Sequence, residues 1–294
     1  MQDKPLVSVV CLSMNHAAFI ERSFKSLTSQ TFRDFEIIYL DNNSTDGSFG
    51  IGEKLLKDAG FPYRGFKRAE NFGTADNMNF LTDLATGKYI APLSGDDFWE
   101  PDNLEEKVKF GEAHPEFGLI YGGGYKYFYD THTASPIDTT NCKSGWIFPD
   151  LLKGNFINGI GLLIPKNTFE QVGGFDKDSL IEDWELWLRI AEKFQIGFLD
   201  KPLVYYGQKT GNNTSANTEY MDKGAHYIFN KYAHHPEIKK AKDEYFLYRV
   251  YQHASGKPAG KDLRFILQHF QFNMAYIKQL GKAIYNLIFA KPKP

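Results

Sequence analysis

A chain of 294 residues suits one large domain with an appendage or two small domains, and 42% apolar content supports a proper core. A formal charge of −2 argues against a whole-protein nucleic-acid binder, and two cysteines, Cys11 and Cys142, make neither a disulfide framework nor a spaced metal motif. No apolar run approaches the ~18 residues of a spanning helix, and the N-terminus has no basic-then-apolar leader pattern.

Residues 6–12 read as a buried strand, and residues 17–30 place Ile20, Phe24 and Leu27 at helical spacing. A second strand spans 35–40. The polar turn after it leads into a helix ending near Gly60. A short strand at 63–67, a helix at 73–86 and a strand at 88–93 follow. Pro101 stands where a first helical residue belongs, opening a helix to about His114, and 119–129 is strand again. Strands and helices alternating through short links predict an α/β fold, with a mainly parallel sheet flanked by helices. Residues 136–161 break into Gly, Asn and aromatic residues, a loop region over a site. Residues 181–193 form a helix with Trp184, Trp187, Leu188 and Ala191 on one face. Residues 195–206 read as edge strands, and the chain past Asn217 as helical. The expected division is 1–216 for the α/β domain and 217–294 for a helical C-terminal extension.

In an open parallel sheet, ligands bind beyond the carboxyl ends of the strands. Three polar clusters follow three strands: Ser13-Met14-Asn15-His16, residues 41–47 (DNNSTDG), and Ser94-Gly95-Asp96-Asp97. Singly, the second is also turn chemistry and the third a helix start. Together they point to one site. Carboxylates there suit a hard cation, Mn²⁺ or Mg²⁺, which stabilises the leaving oxygens of a diphosphate. Asp96, with Asp97 beside it, supplies such ligands, and Asp41 at a strand end can accept from a uracil N–H. A nucleotide-sugar carries both groups. Ser179-Leu180-Ile181-Glu182 fits a capping box that would make Glu182 structural and leave Asp183 as the free carboxylate. Trp146, Phe148, Phe156 and Gly159-Ile160-Gly161 line either a sugar pocket or the core.

These segments, in order over residues 6–215, resemble the inverting family 2 glycosyltransferases of GT-A fold. The carriers are Gln30-Thr31-Phe32-Arg33-Asp34-Phe35-Glu36, the run from Leu40 to Ser48 (LDNNSTDGS), Asn71-Phe72-Gly73, Gly87-Lys88-Tyr89-Ile90, Ser94-Gly95-Asp96-Asp97, Val172-Gly173-Gly174-Phe175-Asp176, and the run from Glu182 to Arg189 (EDWELWLR). The resemblance implies hexosyl- or N-acetylhexosaminyl-type transfer, a UDP-sugar donor first, onto a hydroxyl of a glycan or glycolipid acceptor. It implies that Asp41 binds the nucleobase, that Asp96 ligates the metal and that Asp183 is the general base, with Glu182 the other candidate for that role. Ser13, Asn15, Asn43, Asn71, Gly73 and Ser94 fall in the nucleotide-sugar site. The sequence departs from the family where Ser94 replaces the first Asp of D-x-D, and where Lys209 stands in place of a frequent His. Two rival readings stay open, a nucleotidyltransferase and a catalytically inactive nucleotide-sugar-binding module.

Residues 261–294 carry six cations and one acid, +5 in a chain whose total is −2, which leaves −7 elsewhere. Leu263, Leu267, Phe270, Met274, Ile277, Ile284 and Ile288 recur in steps of three and four, with Gly281 filling the one gap, flanked by Arg264, Lys278 and Lys282. Such a basic amphipathic helix suits peripheral contact with an anionic membrane at its cytoplasmic face. The alternative is packing on the protein itself or in a homodimer.

Overall fold

The computed structural model describes residues 4–208, 217–254, 267 and 274–289. The chain opens with β1 (Val7–Ser13), α1 (Ile20–Thr28), β2 (Phe35–Asp41), α2 (Ser48–Asp58), β3 (Tyr63–Lys67), α3 (Thr74–Leu84) and β4 (Tyr89–Ser94). These strands lie in the order β3-β2-β1-β4, all parallel, as strands joined by helical crossovers do. β1 is a Val-rich run whose residues Val7, Val9, Val10 and Cys11 are fully buried, as expected for a strand covered on both faces. On one face Val9 and Cys11 pack with Ile20, Phe24 and Leu27 of α1 and Tyr39 of β2. Register aligns the strand ends: Ser13 pairs with Asp41, and Leu12 with Ser94. That alignment puts the three polar clusters at one edge of the sheet.

The chain continues through β5 (Phe98–Trp99), α4 (Asn103–Ala113), β6 (Phe117–Phe128), β7 (Thr133–Pro136), α5 (Phe148–Leu151), β8 (Ile164–Pro165), α6 (Lys166–Val172), α7 (Glu182–Lys193) and β9 (Gln195–Gln208). β8 joins the first sheet antiparallel to β4. The others form a second sheet, β5-β9-β6-β7. Residues 195–206, expected as edge strands, lie in one continuous strand that pairs with β6 along its length and with β5 only at Val204 and Tyr205. Pro202 cannot donate to a ladder, and it sits where the β6–β9 register shifts, opposite Gly123, on a stretch that β5 does not pair with. Pro101 also differs from expectation. α4 starts at Asn103 with Asp102 at its N-cap, and the Pro101 carbonyl accepts the Thr31 N–H at 2.8 Å.

Three further helices follow: α8 (Thr218–Lys231), α9 (Ile238–Ala254) and α10 (Met274–Phe289). The chain divides into two compact units, one of residues up to Leu151 with Asn155–Ile228, the other of Leu152–Gly154 with residues from Phe229 onward. The division falls inside α8 rather than at 216/217. The first turns of α8 belong to the α/β unit because the Tyr227 hydroxyl donates to Asp176 at 2.8 Å and Gly224 lies against Ile181.

In the second unit α10 packs on α9 through Tyr276, Leu280 and Ala283 against Leu247 and Val250. The apolar stripe read from the sequence lies on another face: Leu267, Met274, Ile277 and Ile284 are exposed. Leu263, Arg264 and Phe270 lie outside the described residues.

Candidate active site

The first cluster is organised around Asp41. Its carboxylate is fully buried and accepts from the Ser13 hydroxyl at 2.9 Å, the Ser44 hydroxyl at 2.6 Å and the Ser44 N–H at 2.8 Å. Charge-assisted bonds of this kind are the strong ones, and they tie the end of β1 to the turn after β2. Three of the carboxylate's roughly four acceptor sites are thus filled, and Oδ1 keeps one for a further donor such as the nucleobase N–H implied by the resemblance. Asn15, held at a φ of 54°, takes the Thr45 N–H on its side-chain oxygen at 3.0 Å and gives its own N–H to Ser44 Oγ at 2.8 Å. Asn42, not singled out from sequence, latches the rim: it donates to Asn71 Oδ1 at 2.7 Å and to the Phe72 carbonyl at 2.9 Å, and accepts the Phe72 N–H at 3.0 Å. Asn43, Asn71 and Gly73 stay exposed around that latch.

The second cluster surrounds Asp96. The Ser94 hydroxyl donates to Asp96 Oδ1. The Tyr129 hydroxyl donates to the Asp96 carbonyl at 2.9 Å. His16 Nδ1 stands 3.8 Å from Asp96 Oδ1, both side chains being 12–14% exposed. Asp97, expected as a metal ligand, turns away. It is 4% exposed and its Oδ1 accepts the Gly207 N–H at 2.9 Å, so it pins this loop to the end of β9. The approach is close: a Cβ on Gly207 would lie 2.1 Å from the Asp96 carbonyl oxygen, which only glycine allows. Among the described residues no three His, Cys, Asp or Glu side chains form a metal-binding group. The donor set at Asp96, one carboxylate with an imidazole beside it, fits a divalent cation whose other ligands come from a diphosphate. Lys209 lies outside the described residues.

The third cluster starts α7. Asp183 accepts from its own neighbour Trp184 N–H at 2.6 Å and from Asn155 Nδ2 at 3.2 Å. Behind it, Trp184 is buried and donates its indole N–H to the Leu151 carbonyl at 2.7 Å. The expected capping box is absent. Ile181 is the N-cap, no side chain caps the helix, and the Ser179 hydroxyl is buried without a hydrogen-bond partner. The chain enters the helix two residues later than the S-x-x-E spacing requires, which frees Glu182 from a structural bond. Burial, with the adjacent Asp183 charge, pushes the Glu182 carboxyl up to about 7. Burial also raises Asp183, opposed by the Trp184 and Asn155 N–H groups. Burial, then the charges of Glu182 and Asp183, raise the Tyr220 phenol.

This pair has a stability signature. The stability held by neutral Glu182 is complete below the ordinary range near 4.5 and is lost as pH rises through about 7. Glu182→Gln is therefore expected to raise the stability at pH 8 by an amount of order 1–3 kcal/mol, seen as a higher melting temperature, with the gap closing by pH 4.5. Melting curves across that window check it. A Glu182→Gln variant less stable at pH 8 would restore a capping role.

The rest of the Glu182–Arg189 motif is framework. Arg189 donates to both oxygens of the fully buried Glu185, at 2.6 to 3.0 Å, and to the Gly174 carbonyl at 2.6 Å. Two motifs that recur together in the sequence are thus one interaction. Phe148 is buried in the short helix α5, whereas Trp146 is 62% exposed.

The Asp183 and Asp96 segments share an anchor. Gly159 lies against Asp183, with a hypothetical Cβ 3.6 Å from Oδ2. Two residues on, a Cβ on Gly161 would strike Val204 at 2.1 Å, and Val204 lies three residues before Gly207 on β9. Strand β9 thus meets the Asp96–Asp97 loop at Gly207 and, at Val204, the loop whose Gly159 lies against Asp183.

Comparison with known proteins bears on the fold and the family. An uncharacterized glycosyltransferase of Rickettsia bellii is 28% identical over 227 residues, covering 73% of this chain and 32% of the relative. The chain thus spans about a third of the length of that and similar rickettsial relatives. TuaG of Bacillus subtilis, provisionally named a teichuronic acid biosynthesis glycosyltransferase, is 28% identical over 77% of this chain and 88% of its own. Among solved structures, S. aureus TarS 1-349 in complex with UDP-GlcNAc superposes with a TM-score of 0.65 at 16% identity, covering 96% of this chain and 81% of that one. The mannosyltransferase PcManGT from Pyrobaculum calidifontis, in complex with GDP-Man and Mn²⁺, gives 0.60 at 19% identity, covering 98% and 86%. The fold is the GT-A α/β arrangement expected from the sequence. The model of the family "Glycosyl transferase family 2" matches residues 8–168, more than half of the chain, and the protein belongs to that family.

Proposed function

We propose that the protein transfers a sugar, of hexosyl or N-acetylhexosaminyl type, with inversion from a nucleotide-sugar to a hydroxyl of a glycan or lipid-linked acceptor. The observation that carries this reading is the pair of segments anchored on β9, a raised carboxylate pair on one and Asp96 on the other. A UDP-sugar is the first donor to test, given the resemblance and the UDP-GlcNAc held by TarS. Asp183, on a helix start backed by packed tryptophans, takes the proton from the acceptor hydroxyl. The acceptor oxygen then attacks the anomeric carbon from the face opposite the departing diphosphate. Fixed positioning of this kind lowers the barrier by paying orientation entropy in advance. Asp96 would hold a divalent cation, Mn²⁺ or Mg²⁺, which when bound neutralises charge on the leaving nucleotide diphosphate. The Asp41 network sets the shape of the nucleoside edge.

Inversion has a direct readout. An α-linked nucleotide-sugar should yield a β-linked product, identified by the anomeric proton coupling in NMR. An α-linked product would overturn the mechanism, and donor binding with neither transfer nor hydrolysis would favour the inactive binding module.

We assign the exposed face of α10 to an anionic membrane surface. Met274, Ile277, Ile284 and Tyr285 are exposed there together with Lys278, and residues 274–289 contain no acid. Each cation near an anionic leaflet adds ~1 kcal/mol. Among the described residues no helix is long and apolar enough to cross a membrane. Because α10 packs on α9 through its other face, substitution of Met274, Ile277 and Ile284 by Ser should weaken sedimentation with anionic vesicles while leaving the melting temperature near the parent. Loss of a homodimer with unchanged vesicle binding would make this face a subunit contact.

A further inference from the structure

Replacement of the first D-x-D acid by Ser94 leaves the Asp96 loop one carboxylate short. The Ser94 hydroxyl does not make good that loss, since it donates to Asp96 Oδ1 and so binds the ligand rather than a cation. The fold brings a different donor to the same place. His16 follows β1, its backbone N–H is held by Ser48 Oγ at 2.8 Å, and its ring packs edge-on to Phe19 with centroids 6.3 Å apart. Those contacts aim Nδ1 at Asp96, 3.8 Å from Oδ1. Cis ligands of a divalent ion with bonds of about 2.1 Å stand about 3 Å apart, so a small closure brings both atoms onto one ion. Room for the ring depends on the neighbouring residue. A Cβ on Gly95 would lie 2.8 Å from His16 Nδ1, and glycine at that position clears the space.

We infer that His16 is the second protein ligand of the divalent cation held at Asp96, replacing the acid that Ser94 lacks. This rests on the metal reading of Asp96 given above. It adds a consequence that a carboxylate-only site would not have. Imidazole is a borderline donor that favours Mn²⁺ over the oxygen-seeking Mg²⁺. The intact site should therefore select Mn²⁺, and should lose that selectivity when His16 is removed.

The test uses the full chain with UDP and Mn²⁺, and reads metal binding rather than turnover. Pulsed electron paramagnetic resonance of bound Mn²⁺ should show coupling to a directly ligated ¹⁴N nucleus. His16→Ala should abolish that coupling and weaken Mn²⁺ at least ~10-fold, while Mg²⁺ affinity, read by competition, changes about twofold or less. His16→Asn provides a second variant of different size, and circular dichroism confirms that each is folded. Mn²⁺ bound without nitrogen coupling, or bound equally well by the folded His16 variants, would overturn the inference and leave Asp96 as the metal site. Absence of Mn²⁺ binding in the parent protein, with Asp96→Asn indistinguishable from it, would remove both.

Discussion

Asp183→Asn is expected to lower turnover by roughly 10²–10⁴, the range for loss of a general base, with donor affinity close to the parent. The substitution keeps the shape of the side chain and, through Oδ1, its bond to the Trp184 N–H, so the helix start survives, while the Asn155 contact is given up because two amide NH2 groups would face each other. What disappears is a carboxylate able to accept a proton. Because burial raises Asp183 and lifts Glu182 to about 7, the acid limb of kcat/KM should lie above the ordinary carboxylate range. Activity should rise with pH as the pair ionises and flatten above about 7 to 8. Steady-state rates and donor titration on the folded variant check both parts. If Glu182→Gln abolishes turnover while Asp183→Asn retains it, the two carboxylates exchange roles.

Chelation is expected to abolish transfer, and added Mn²⁺ or Mg²⁺ to restore it. A departing nucleotide diphosphate accumulates charge that a bound cation stabilises by several kcal/mol. Asp96→Asn should mimic chelation and resist rescue by metal. Full activity in excess chelator would point to Lys209 as the charge that neutralises the diphosphate.

Much of the first sheet was legible because its signals are local. The Val-rich β1, the amphipathic α1 and the polar turn after β2 each declare themselves within about ten residues. The second sheet was not. β5 and β8 are two residues long, and β9 looks like an edge until its partners are known. No periodicity announces a strand of two residues, or the long parallel pairing with β6 that β9 takes. Helix α7 shows the same limit at its start. Ser179 and Glu182 have the right spacing for a capping box, but the backbone enters the helix at Ile181, so the spacing carries no bond.

The site divides along the same line. Sequence alone placed Asp41, Asp96 and Asp183 at strand and helix ends, because such positions follow from the alternation of elements and the rule that ligands meet strand carboxyl ends. It also carried the family, whose motifs keep their order along the chain. What each carboxylate does was decided by the tertiary structure, since hydrogen-bond partners are set by proximity in space. Asp97 meets Gly207 across 110 residues, His16 meets Asp96 across the top of two strands, and Ser13 meets Asp41 through sheet register. Adjacent residues such as Asp96 and Asp97 look interchangeable in the sequence. They meet different neighbours in the fold: Asp97 ties its loop to Gly207, and Asp96 meets Ser94 and His16.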